Sequence, residues 1–72
     1  EIVELDADTV VSFTAFQAAR DRIRVLLRQR GRATASELRQ LLGTSRRILI
    51  PLLEKLDRDG VTRRDGDHRT LA

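Results

Sequence analysis

TASELRQLLGTSRRILIPLLEKLDRDG, residues 34–60, reads as two helices joined by a tight turn. Thr34-Ala35-Ser36-Glu37 is a capping box, in which the threonine hydroxyl accepts from the amide three residues on and the glutamate reaches back. Leu38, Leu41 and Leu42 follow at helical spacing, and Gly43 stands where a helix stops. Ser45 is then placed to cap a longer helix with apolar positions Ile48, Leu49, Leu52, Leu53 and Leu56, ended by Gly60. A short helix, a glycine-containing turn and a longer helix make a helix-turn-helix. Pro51 falls inside the longer helix, where it removes an amide bond and crowds the carbonyl of Arg47. The first turns are therefore expected to bend or loosen, and a bend there would re-aim Arg46 and Arg47.

Upstream, Thr14-Ala15-Phe16-Gln17 offers another capping box, followed by an apolar stripe at Phe16, Ala19, Ile23, Leu26 and Leu27. Gly31 sits at a left-handed C-cap position, and Arg28 and Arg30 in the last turn complement the helix dipole, a structural role. Glu1 to Leu5 is read as extended, Asp6-Ala7-Asp8 as a turn, and Thr9 to Ser12 as the lead-in to the first helix. Downstream, an Asp65-Gly66 pair between two short β-prone arms, Val61 to Arg64 and His68 to Leu71, signals a hairpin. A two-residue Asp65-Gly66 turn would put Val61 and Leu71 on opposite faces. A three-residue loop of Asp65, Gly66 and Asp67 pairs them, and burial of one face favours that register. Thr62, Arg64, His68 and Thr70 would then share the outer face, with Arg63 and Arg69 flanking the tip. Arg32-Ala33-Thr34 is placed to add a third, tiny strand. The expected class is α+β, a small winged helix: three helices with a C-terminal hairpin wing. Its division is an acidic extended lead-in over residues 1–12, helices over 14–60 and the wing over 61–71, all in one domain.

Composition agrees with one modest core. Domains run about 100–200 residues, so 72 residues leave no room for two. No apolar run is long enough to span a membrane, and no signal peptide opens the chain. Absence of Cys excludes disulfides and thiolate-bound metal; a single His excludes a multi-histidine site, so no metal and no cofactor are expected. Two Phe, no Tyr and no Trp leave little for base stacking. Residues 1–8 carry four acids and no base. The remainder carries 14 bases against 7 acids, and 13 of the 14 are Arg. Arginine is the planar, bidentate phosphate binder, although a GC-rich genome would produce the same bias.

Two clusters could hold a polyanion. Ser45, Arg46 and Arg47 open the longer helix, whose first amides are unsatisfied and partly positive. Arginines there work against the dipole by about 0.3–1 kcal/mol each, so a stability-only design would place acids instead. The wing adds Arg63, Arg64, His68 and Arg69. Asp57 and Asp59 could pair with Arg63 or Arg69, making part of this cluster structural, and a charged hairpin also serves solubility. No Ser–His–Asp arrangement and no phosphate loop of the GxxxxGK[ST] type occurs, so an enzyme is not expected.

Residues 41–47 (LLGTSRR), 50–57 (IPLLEKLD) and 60–69 (GVTRRDGDHR) resemble the C-terminal end of the bacterial selenocysteine-specific elongation factors, the SelB family. The likeness is dense over residues 36–71 and looser before them, and it includes Pro51. It implies a translational GTPase with four tandem winged helices. The last of these holds the messenger RNA hairpin that recodes UGA, through the start of the recognition helix and the basic wing. It further implies a cytoplasmic module whose ribosome, selenocysteyl-tRNA and GTP contacts lie in parts of the factor absent from this chain; a complete set of caps and one apolar stripe per helix lead to the expectation of a monomer. Relatives carry Lys or an aromatic after the first Arg; here Arg47 and Ile48 stand there, so no stacking comes from position 48. A DNA-binding transcriptional regulator shares the scaffold and is the alternative. A protein-interaction winged helix would need an exposed apolar patch.

Overall fold

The computed structural model describes all residues, Glu1 to Ala72. Helix α2 spans Ala35–Leu42 and helix α3 spans Arg46–Arg58, with Gly43-Thr44-Ser45 between them. The capping box forms as expected: Thr34 Oγ1 accepts from the Glu37 amide at 3.1 Å, and Glu37 Oε1 accepts from the Thr34 amide at 2.8 Å. The Thr34 backbone bond holds the Glu37 carboxyl below the usual carboxylate range, aided by the charge of Arg30, 2.7 Å away. At the far end of α3 the Gly60 amide donates to Asp57 at 3.2 Å and the Val61 amide to Leu56 at 2.9 Å. This Schellman closure needs the positive φ of Gly60, 75°. The helix is continuous across Pro51, which is buried with Leu49, Leu52, Leu53 and Leu56. The loosening expected there does not break it.

Helix α1 spans Phe13–Arg30, and its cap is Ser12 rather than Thr14. Ser12 Oγ accepts from the Ala15 amide at 3.0 Å. The reason lies upstream, where the lead-in is itself a hairpin: β1 (Ile2–Asp6) pairs antiparallel with β2 (Thr9–Ser12). That pairing keeps the chain extended up to Ser12 and hands it the cap geometry. The turn at Asp6-Ala7-Asp8 appears as expected, closed by Asp6 Oδ1 accepting from the Asp8 amide at 2.9 Å. Alternation sends Leu5 into the core, 1% exposed, with Val3 and Val11 packed against it.

The three helices enclose one core of Leu5, Phe16, Ile23, Leu27, Ala33, Leu38, Leu49, Leu52, Leu53 and Leu56. Each fully buried aliphatic contributes about 1.5–3 kcal/mol. No helix is long and apolar enough to cross a membrane.

The wing joins β4 (Thr62–Asp65) to β5 (His68–Leu71), and β3 (Ala33–Thr34) pairs on the other edge of β5, giving the order β3-β5-β4. The third tiny strand is therefore present. Neither anticipated loop forms, however. Asp65 pairs with His68 and Thr62 with Leu71, leaving Gly66-Asp67 as a two-residue turn. Gly66 takes φ of 61° while Asp67 does not go positive, the pattern of a type II′ turn with glycine first. Thr62, Arg64, Arg69 and Leu71 consequently share the face toward the helices. Arg63, Asp65, His68 and Thr70 share the other.

Candidate nucleic-acid interface

Ser45, Arg46 and Arg47 are exposed at the start of α3, as expected. Ser45 has the extended backbone of an N-cap but its side chain makes no capping bond. The Ile48 and Leu49 amides reach back to the Ser45 carbonyl, at 3.2 and 2.9 Å. The amides of Arg46 and Arg47 have no such partner. α1 and α2, by contrast, each have a side chain accepting from the first turn. The end of α3 thus combines open amides, the positive end of a dipole and two guanidinium groups with no acid within ion-pair distance.

The wing residues divide. Arg63 and Arg64 are exposed and free of ion pairs, and Arg64 Nε donates to the Gly66 carbonyl at 3.2 Å, which holds its side chain at the tip. His68 is half-buried, opposite Asp65 on one side and Thr34 on the other. Arg69 does not flank the tip. It lies mid-sheet with its side chain 9% exposed, its Nη2 2.9 Å from Asp57 Oδ2 and its Nε 3.2 Å from both carboxylate oxygens. Of the pairings anticipated for Asp57 and Asp59, Asp57–Arg69 forms, whereas Asp59 meets Lys55 at 3.2 Å.

Arg46 and Arg64 line opposite walls of one polar groove of about 450 Å³. Ile50 and Glu54 continue the α3 wall, Gly66, Asp67 and the Asp57-paired Arg69 the wing wall, and Ser36 at the start of α2 also lines it. Arg47, Arg63 and His68 lie outside it. Ser36, Ile50 and Glu54 escaped the sequence reading. The steps from Arg46 to Ile50 to Glu54 are helical and could have marked that wall; Ser36, on a different helix, joins it only in the tertiary fold. Nowhere do three or more His, Asp or Glu side chains gather as a metal cluster. The groove is lined by the unpaired guanidinium groups of Arg46 and Arg64, the paired one of Arg69, the Glu54 carboxylate and the Ser36 hydroxyl, groups of the kind that meet phosphate, base and sugar edges.

The family described as "Elongation factor SelB, winged helix" matches residues 24–71. A solved structure, the mRNA-binding domain of elongation factor SelB from E. coli in complex with SECIS RNA, superimposes with a TM-score of 0.86 at 31% identity. The alignment covers 97% of this chain and 58% of that one, so this chain spans little more than half the length of the relative. No match is found among curated proteins. The open helix start, the three-stranded wing and the matched residues from Arg24 to Leu71 place this chain in the winged-helix family of the SelB elongation factors.

Proposed function

We propose that this chain is an RNA-binding winged helix of a selenocysteine-specific elongation factor, and that its ligand is a selenocysteine-insertion stem-loop in messenger RNA. The observation that carries the reading is the likeness, at 31% identity over 97% of this chain, to a SelB domain solved with SECIS RNA. Four exposed arginines without ion-pair partners, Arg46, Arg47, Arg63 and Arg64, lie at the helix start and wing, where such contacts need them.

The physics suits a hairpin ligand. An A-form major groove is too deep and narrow to admit a helix, so contact falls on backbone and unpaired loop nucleotides. Two basic projections with a groove between them position such a ligand by its phosphates. Ser45 and the free amides of α3 add donors for one phosphate, and His68 supplies a polar edge on the outer wing face. Arg69, turned inward, serves the wing rather than the ligand. The chain itself does no chemistry in this reading. GTP hydrolysis and contacts to the ribosome and selenocysteyl-tRNA belong to other parts of the factor.

The test is a competition between the E. coli SECIS stem-loop RNA and a duplex DNA of equal length for the 72-residue chain. Clear preference for the stem-loop is expected. Equal affinity for duplex DNA would favour the transcriptional-regulator reading instead.

A further inference from the structure

The wing is fastened to α3 by one carboxylate. Asp57, in the last turn of α3, accepts from Thr62 Oγ1 at 2.6 Å and from the Nε and Nη2 of Arg69. Thr62 belongs to β4 and Arg69 to β5, so one side chain ties both wing strands to the helix that carries Arg46. Arg69 is also the cross-strand neighbour of Ala33 in β3, which brings the start of α2 into the same frame. Apolar contact shares the task only at the base of the wing, where Val61 and Leu71 pack against the core; nearer the tip the inner face is Arg64 and Arg69. Apolar contacts tolerate sliding, whereas a guanidinium fork on a carboxylate fixes both distance and plane.

We propose that Asp57 is a positioning residue for RNA binding: by fixing the angle between wing and α3, it sets the separation of Arg46 and Arg64 across the groove. The proposal rests on the RNA reading above. Its consequence runs against simple electrostatics. Removing an acid beside a basic surface strengthens attraction for a polyanion. Loosening the wing weakens binding, by the fraction of time the wing spends at the competent angle.

Asp57→Asn separates the two by direction. The 72-residue variant is titrated with the E. coli SECIS stem-loop RNA, with the folded fraction measured at the binding temperature so that affinity is read per folded molecule. A wing at the competent angle a tenth of the time gives about tenfold weaker binding. The salt dependence is expected to keep the wild-type slope, since the four exposed arginines remain. Equal or tighter binding by the folded variant overturns the proposal and leaves the RNA reading intact. If Asp57→Asn does not fold, Thr62→Val removes the β4 bond to Asp57, keeps the side-chain shape and leaves every charge and every groove-lining residue in place. Weaker binding at unchanged slope supports the proposal there, and wild-type affinity overturns it. A wild type with no preference for the stem-loop overturns both readings before any variant is compared.

Discussion

Two hairpins of similar size pack against the same helix, and they are held by opposite means. The β1–β2 hairpin is anchored by burial: Leu5 is 1% exposed, Val3 and Val11 pack beside it, and Arg58 Nη2 donates to the Leu5 carbonyl at 3.0 Å. Its exposed positions include the acids Glu4, Asp6 and Asp8 and the apolar Ile2 and Val10, and no base. The β4–β5 wing is anchored by directed polar bonds onto Asp57, and its exposed side chains include the cations Arg63 and Arg64, one on each face. A hairpin held by apolar burial adds to the core. A hairpin held by a bidentate fork contributes less burial and acquires a defined orientation, which is what a clamp requires.

Breaking the first hairpin gives the largest effect. Leu5→Ala should cost about 2–5 kcal/mol of stability through a cavity where the surroundings cannot collapse. Denaturant unfolding measures it, and RNA affinity per folded molecule should not change. An equal loss of affinity would mean that the two hairpins do not divide the work. Next come Arg46→Ala and Arg47→Ala, each expected to weaken stem-loop binding by about 1–3 kcal/mol in titration. Neither should lower the melting temperature, because a cation at a helix start is mildly unfavourable.

A smaller effect sharpens the link between helices and wing. Thr34 caps α2 and pairs with His68 in β5, so Thr34→Ala should lose about 1 kcal/mol of stability in denaturant titration. The same box predicts a pH dependence. Because folding lowers the Glu37 pKa, its contribution is fully present above the unfolded glutamate value, about 4.3, and fades as pH falls through the lowered folded value. Glu37→Gln should flatten that part of the acid unfolding profile. The smallest change belongs to Arg28→Ala in the last turn of α1, expected to leave RNA affinity within about 0.5 kcal/mol. A loss there as large as at Arg47 would turn the clamp into diffuse attraction.

What was legible in the chain followed interaction range. The Thr34–Glu37 box, the stops at Gly43 and Gly60, and the leucine stripe of α3 are decided within a few residues, and each appears as read. The cap of α1 was misplaced by two residues because Thr14–Gln17 satisfies the same local pattern as a box. The choice fell to Ser12 through strand pairing with Ile2. The wing register was missed for a related reason. The local signal is apolar pairing of Val61 with Leu71, while the deciding contact is a polar one to Asp57, five residues before Thr62 and twelve before Arg69. That same register moved Arg69 from the rim to the interior and built the groove between Arg46 and Arg64. Ser45, Arg46 and Arg47 could be read because a helix start exposes its own first residues whatever the tertiary frame.

The salt dependence of stem-loop binding tests the clamp most directly. Arg46, Arg47, Arg63 and Arg64 as phosphate contacts predict a fall of log K with log salt of roughly −3 to −4, reduced by about one in Arg46→Ala. A wild-type slope near zero, or a slope untouched by Arg46→Ala, would contradict the claim that the start of α3 and the wing together hold the RNA.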